Sequence, residues 1–143
     1  MNVKIISFPD IDKKVGAIVN TPASLFRDIM LNMRSRMWDR IKKSKDHNGR
    51  QFHRYAQSTV IAKEGIGRPA NVNMSDRGTM LKSVSVKYTN KNGDMFLGAE
   101  KDIGYKHQMG IGVPKREWFG YTKESEKKAR DEYEKYIKKA LKK

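Results

Sequence analysis

Residues 83–99 have the sequence SVSVKYTNKNGDMFLGA, which contains the clearest strand pattern of the chain. Val84, Val86 and Tyr88 alternate with polar residues, a pattern that is typical of a half-buried strand. Asn92-Gly93 readily adopts the positive φ of a tight hairpin turn. Met95–Ala99 is then expected to return as the second strand. The sequence therefore predicts an antiparallel β-hairpin over residues 83–99.

Amphipathic helices are predicted on both sides of this hairpin. Thr21-Pro22 favours a helix start, with Thr21 as the cap and Pro22 at the first helical position, and the helix is predicted over 21–44. Its apolar face repeats at helical spacing and consists of Phe26, Ile29, Met30, Met33, Met37 and Ile41. A second helix is predicted over 122–142 with Thr122 as its cap. Its apolar face is expected to be Ala129, Tyr133, Tyr136, Ile137, Ala140 and Leu141.

The remaining segments complete a single domain over residues 1–143, since domains cluster near this length. Residues 1–20 predict a strand at Val3–Phe8 and a short helix at Ile11–Val19. A helical turn is expected at Ser58–Lys63 and a short helical piece at Asp76–Lys82. Residues 64–75 show no hydrophobic period and predict a flexible loop, mobile over Gly65–Met74, while the glycines after residue 100 predict an irregular stretch. The expected fold class is α+β, a small antiparallel sheet packed with a long helix from the N-terminal half and a C-terminal helix.

Composition restricts the function classes. The 143 residues contain 31 Lys and Arg against 16 Asp and Glu, a net charge of +15 at pH 7, and no cysteine. A disulfide scaffold, a cysteine-ligated zinc site and a thiol nucleophile are excluded. We expect a soluble protein with no membrane partner, since no run reaches the roughly 18 apolar residues of a membrane span.

The positive charge favours a polyanionic partner such as nucleic acid. The alternative is a solvated basic surface without a specific ligand. The densest basic block lies between residues 34 and 54 and supplies the candidates for phosphate contact. These are Arg34, Arg36, Arg40, Lys42, Lys43, Lys45, Arg50 and Arg54.

Signals for catalysis are weak. The chain has no phosphate-binding GxxxxGK[ST] loop and no HExxH, and its three histidines stand far apart. His53-Arg54-Tyr55 is the one cluster suited to acid–base work on a phosphodiester; alternatively, Phe52 and Tyr55 anchor the core and His53-Arg54 is solvated. Trp118-Phe119 suits either stacking on bases or pinning a loop to the core. We expect no enzyme activity, no cofactor and no metal site.

Four stretches occur in an order that resembles a known family. They are NGRQF from Asn48, followed by Thr59 and Lys63; DRGTMLKS from Asp76, ahead of the first hairpin strand; HQMG from His107; and VPKREWFG from Val113. They are similar to segments of the phage virion morphogenesis family, the tail-completion or neck proteins of tailed bacteriophages.

The resemblance implies a structural protein of the head–tail junction that assembles as a ring around the DNA channel, of six-fold or twelve-fold symmetry. It implies the virion as location, the host cytoplasm during assembly, and connector, neck and tail proteins as partners. A basic chain in such a ring would contact packaged DNA without sequence readout. The alternative from another class is a small basic nucleic-acid-binding protein or ribonuclease. The matching positions become candidates for assembly contacts: Asp76, Gly78, Ser83, His107, Gln108, Pro114, Arg116, Trp118 and Phe119. Among them, Arg116 is expected to pair with a carboxylate within or between subunits.

Overall fold

The computed structural model describes residues 4–7, 21–74, 79–89, 92–98 and 101–142. Three antiparallel strands form one sheet in the order β1–β3–β2, and five helices accompany it. The strands are β1 (Lys4–Ser7), β2 (Val84–Tyr88) and β3 (Gly93–Leu97). The helices are α1 (Ala23–Lys42), α2 (Gln57–Gly65), α3 (Thr79–Lys82), α4 (Lys101–Met109) and α5 (Lys123–Ala140). The predicted α+β class is confirmed.

The hairpin forms as its alternation predicts. Val84 pairs with Leu97 and Tyr88 with Gly93. The predicted positive φ at Asn92-Gly93 is wrong, because Gly93 belongs to β3 and neither residue is among the described ones with a positive φ. A β-carbon at position 93 would instead overlap the Met30 side chain of α1. β1 lies antiparallel on the other side of β3, so a strand forms within the predicted Val3–Phe8. The helix predicted at 11–19 and the hairpin-turn residues 90–91 lie outside the described residues.

Helix α1 supplies the centre of the core. All six residues of its predicted apolar face are buried, and Leu25 and Trp38 pack beside them. The predicted cap at Thr21 is wrong. Pro22, with ψ of 142°, occupies the N-cap position itself, and no capping side-chain hydrogen bond forms. Thr21 therefore lies one residue too early to cap the helix, and its buried hydroxyl has no partner among the described residues.

Helix α5 packs along α1. The rings of Phe26 and Tyr133 approach to 5.9 Å between centroids, and Arg36 Nη2 donates to Glu132 Oε1 at 2.6 Å. The predicted Thr122 cap is confirmed, since the Ser125 N–H donates to Thr122 Oγ1 at 3.1 Å. Leu141 follows the last helical residue and is 61% exposed, so its predicted place on the apolar face is wrong.

Three segments between these elements differ from expectation. Helix α4 occupies part of the stretch predicted to be irregular, although a glycine inside a helix costs about 1 kcal/mol relative to alanine. Helix α2 runs for nine residues rather than a single turn. Part of the irregular stretch after α2 is packed against the rest of the chain, because the side chains of Val72 and Met74 are buried in the core. Mobility of its exposed part remains a prediction.

Candidate assembly site and basic surface

The two motif segments of the C-terminal half, HQMG from His107 and VPKREWFG from Val113, bind each other. Phe119 N–H donates to Gln108 Oε1 at 3.0 Å, and Gln108 Nε2 donates back to the Phe119 carbonyl at 3.3 Å. Trp118 Nε1 donates to the Gly104 carbonyl at 2.9 Å. Trp118 and Phe119 are both buried and pack edge to face. The two rings therefore anchor the loop in the core, which was the structural interpretation of this pair. Neither ring is accessible for stacking on bases.

Arg116 is an internal clamp. Its side chain is buried, and Nε donates to the His53 carbonyl at 3.0 Å while Nη2 donates to the Arg54 carbonyl at 3.3 Å. The guanidinium lies 5.2 Å from the centroid of the Tyr55 ring. Burial lowers its pKa. The expected pairing with a carboxylate is therefore wrong within the described chain, because main-chain carbonyls already occupy the guanidinium fork.

The other assembly candidates separate into different environments. Ser83 Oγ donates to the Met80 carbonyl at 2.7 Å, and the Ser83 carbonyl accepts from Gly98 N–H at 3.0 Å, so this serine has a local role between α3 and the hairpin. Pro114 is exposed. Asp76 and Gly78 lie outside the described residues. The structure thus brings together Gln108, Trp118 and Phe119 with Arg116 and His107.

His107 faces Arg116 as a neutral acceptor. Its Nδ1 lies 3.3 Å from Arg116 Nη1, and an arginine can only donate, so this nitrogen is unprotonated. The His107 carbonyl also accepts from Arg116 N–H at 2.7 Å. Burial lowers the pKa of His107 below 6.5, and the positive charge of Arg116 lowers it further. Protonation of His107 would place two cations side by side.

Acid is therefore expected to destabilise the fold through His107. Because its pKa in the folded state lies below the unfolded value, the unfolded chain takes up the proton first. Stability is then full above pH 6.5 and falls as the pH is lowered through that value. Urea unfolding between pH 7 and pH 5 should show a shallower loss for His107→Asn than for the parent. His53→Asn, at an exposed histidine, should retain the parent slope; equal slopes for all three would contradict this assignment.

Three of the eight phosphate candidates, all arginines of α1, bind groups in other parts of the chain. Arg34 Nη1 donates to the Val84 carbonyl at 3.1 Å, and Arg36 forms its ion pair with Glu132 at 2.6 Å. Arg40 Nη2 donates to the carbonyls of Trp118 and Gly120 at 2.7 and 2.9 Å. Burial lowers the pKa of Arg40 to about 10, with a smaller opposing effect of Asp46. These arginines link α1 to other parts of the chain, which gives them a structural role; their contact with phosphate stays a prediction.

The other five candidates are exposed and form what we call the helix-end basic surface, consisting of Lys42, Lys43, Lys45, Arg50 and Arg54. The chain turns back directly after α1, where Lys45 bridges to Gln51. The Asp46 carboxylate accepts from the N–H groups of Asn48 and Arg50, both at 2.8 Å, so the turn itself uses it. Lys42 and Lys43 lie at the C-terminal end of α1, where the helix dipole favours cations.

The Tyr55 ring contacts Lys63 in addition to Arg116, and the sequence did not predict this contact. Lys63 Nζ lies 4.7 Å from the Tyr55 ring centroid, and Lys63 is 7% exposed. Its Nζ also donates to Asn73 Oδ1 at 3.4 Å. The ring thus contacts both Lys63 and Arg116. Phe52 is buried, Tyr55 packs against the core, and His53 and Arg54 are exposed, which confirms the anchoring interpretation of this cluster.

The described residues contain neither a metal-binding cluster nor a membrane-spanning helix. No group of three or more His, Asp or Glu residues in this part of the chain is placed to hold a metal ion. None of the helices described above is both long and apolar enough to cross a membrane.

Comparison with known proteins adds no relative. No family model, no curated protein and no solved structure matches the chain. The resemblance to phage virion morphogenesis proteins therefore rests on the motif segments themselves.

Proposed function

We propose that this chain is a non-enzymatic structural protein of the tailed-bacteriophage head–tail junction, a neck or tail-completion protein. The observation that carries the proposal is the mutual binding of two motif segments that resemble the family. Gln108 of the first segment exchanges two hydrogen bonds with Phe119 of the second. The two hydrogen bonds fix the position of one segment relative to the other, which a structural role requires. They do not bring together a group of catalytic side chains.

The proposed assembly is a homo-oligomeric ring of six or twelve copies in the virion, formed in the host cytoplasm with connector, neck and tail proteins. Such a ring uses heterologous contacts, so two different surfaces of one chain must meet. In this proposal Arg116 and Trp118 act inside the subunit. They fix the position of the loop that carries the exposed Pro114, and this loop would contact a neighbouring subunit.

Light scattering during size-exclusion chromatography tests the assembly. With rising protein concentration, or with a purified connector ring, we expect a discrete species of six or twelve subunits. Electron microscopy of phage lacking this chain should show filled heads and separate tails that join when the chain is added back. A chain that stays monomeric under all these conditions, or heads and tails that join without it, would refute the proposal.

The helix-end basic surface is the proposed site of contact with packaged DNA. Duplex affinity falls with salt with a slope of about 0.9 per phosphate neutralised. Replacing Lys42, Lys43, Lys45 and Arg50 with glutamine should reduce this slope in proportion to the contacts removed. A control with Lys127, Lys135, Lys139 and Lys142 replaced by glutamine changes the net charge equally, on exposed positions of α5 and its end. If the two variants lose affinity equally, the contact is a property of total charge and has no defined site.

The clustering of five exposed cations also favours the alternative, a small nucleic-acid-binding protein that acts without assembly. Tight duplex or RNA binding by a monomer that never forms rings would favour this alternative. Its ribonuclease form has a separate criterion, which is cleavage of RNA that His53→Ala abolishes at unchanged stability.

A further inference from the structure

Strand β2 forms an outer edge of the sheet, since the strand order is β1–β3–β2. Two hydrogen bonds bracket its ladder with β3, from Gly98 N–H to the Ser83 carbonyl and from Thr89 N–H to the Asn92 carbonyl. Bonded pairs alternate in an antiparallel ladder, so Ser85 and Lys87 use their main-chain groups toward β3. The main-chain groups of the alternate residues, Val84, Val86 and Tyr88, point away from β3.

One of these outward groups already has a side-chain partner. Arg34 Nη1 donates to the Val84 carbonyl at 3.1 Å, which confirms the direction derived from the register. Within the described chain, no main-chain hydrogen bond outside the ladder involves Val86 or Tyr88. An open depression of about 510 Å³ lies at this end of the strand, lined by Val86, Lys87, Tyr88, Thr89, Asn92 and Asp94. Among the described residues, the outward main-chain groups of Val86 and Tyr88 therefore have no main-chain partner.

The charges along this edge indicate which kind of strand it would accept. Arg34 lies at Val84, and Arg27, two helical turns earlier on α1, lies at the Tyr88 hydroxyl. Lys87 projects from the strand itself, with its Nζ 5.1 Å from the centroid of the Phe96 ring. Arg27 pairs with the neighbouring Asp28 at 3.0 Å, which offsets part of the positive charge. A second copy pairing antiparallel through β2 would oppose its own Arg27 and Arg34 to these arginines.

We propose that the outer edge of β2 accepts an extended, acidic segment of another protein as a fourth strand of the sheet. The N–H and C=O groups of Val86 and Tyr88 would pair with the main chain of that segment, and the cations of α1 and β2 would select acidic side chains. This inference rests on the ladder and the charges and does not require the proposed phage function.

The probe is a synthetic peptide of alternating glutamate and valine, with blocked ends. A peptide of the same sequence with every main-chain nitrogen methylated serves as its matched control, because it has the same charge and no N–H group to donate along an edge. We expect the unmethylated Glu-Val peptide to slow amide exchange at Val86 and Tyr88 of the unmodified protein, and the methylated peptide to leave it unchanged. Equal effects of both peptides, or changes confined to the helix-end basic surface, would overturn the proposal.

Two substitutions at Tyr88 separate main-chain pairing from side-chain contact. Tyr88→Pro removes the outward N–H, which the ladder does not use, whereas Tyr88→Ala keeps it. Loss of one such bond at the edge should weaken binding of the Glu-Val peptide by up to about tenfold, while the alanine variant should bind like the parent. Equal binding by a folded Tyr88→Pro variant would refute main-chain pairing. Should that variant fail to fold, the exchange experiment on the unmodified protein decides the question.

Discussion

Replacing Trp118 with alanine is expected to lower the free energy of unfolding by about 3–5 kcal/mol, the range for deleting a buried aromatic side chain. The indole is fully buried and donates to the carbonyl of Gly104 in α4. Its loss would leave a cavity and remove the hydrogen bond between the loop and α4. Urea unfolding followed by circular dichroism measures the change.

Two further variants separate the contributions to this loss. Trp118→Phe retains an aromatic ring but removes the N–H donor and part of the indole volume, so it should cost about 1–3 kcal/mol. Tyr105→Ala truncates an aromatic side chain on α4 that is 45% exposed and should change stability by less than about 0.5 kcal/mol. If Trp118→Ala is as stable as the Tyr105 variant, the indole does not anchor the loop.

Arg116→Lys is expected to destabilise the isolated subunit by about 2–4 kcal/mol, because hydrogen bonds of a charged group contribute about 1.5–3 kcal/mol. Lysine keeps the charge but carries all its donors on one nitrogen, so it cannot reproduce the positions from which Nε and Nη2 of Arg116 donate to the carbonyls of His53 and Arg54. The midpoint of urea unfolding should fall accordingly.

Arg54→Lys is the matched control for this prediction, since Arg54 is exposed and should tolerate the change within about 0.5 kcal/mol. An Arg116→Lys variant that unfolds like the parent but no longer assembles would restore the earlier expectation, a carboxylate contact on a neighbouring subunit.

Elements with a strong period were predictable from the sequence. The apolar face of α1 and the alternation of β2 each follow from local spacing, and the Thr122 cap follows from a residue type at a helix start. Helix α4 was missed because Gly104 has a low intrinsic helix propensity. In the structure, Trp118 donates to the Gly104 carbonyl. This contact is tertiary, so the local sequence around Gly104 does not predict it.

The site was predictable only in part, because arginines of equal local pattern have different partners. Arg40 and Arg50 both belong to the same basic block of the sequence. Arg40 finds the carbonyls of Trp118 and Gly120, far along the chain, whereas Arg50 is exposed. The carbonyls that bind Arg40 come close to it only when the chain folds. Residue type and spacing in the sequence therefore do not predict which arginine finds such a partner. The burial of Lys63 against Tyr55 escaped prediction for the same reason.

The contacts that close the core join residues far apart along the chain. Arg116 binds a carbonyl 63 residues earlier, Arg40 one 80 residues later, and Arg36 pairs with a carboxylate 96 residues later. Such long-range closure slows folding. At a synthesis rate of about 5–20 residues per second, the partner of Arg36 emerges from the ribosome about 5–20 s after Arg36 itself. The methionine-rich face of α1 lacks α5 during that interval, so α1 is the segment of the nascent chain for which we expect chaperone binding.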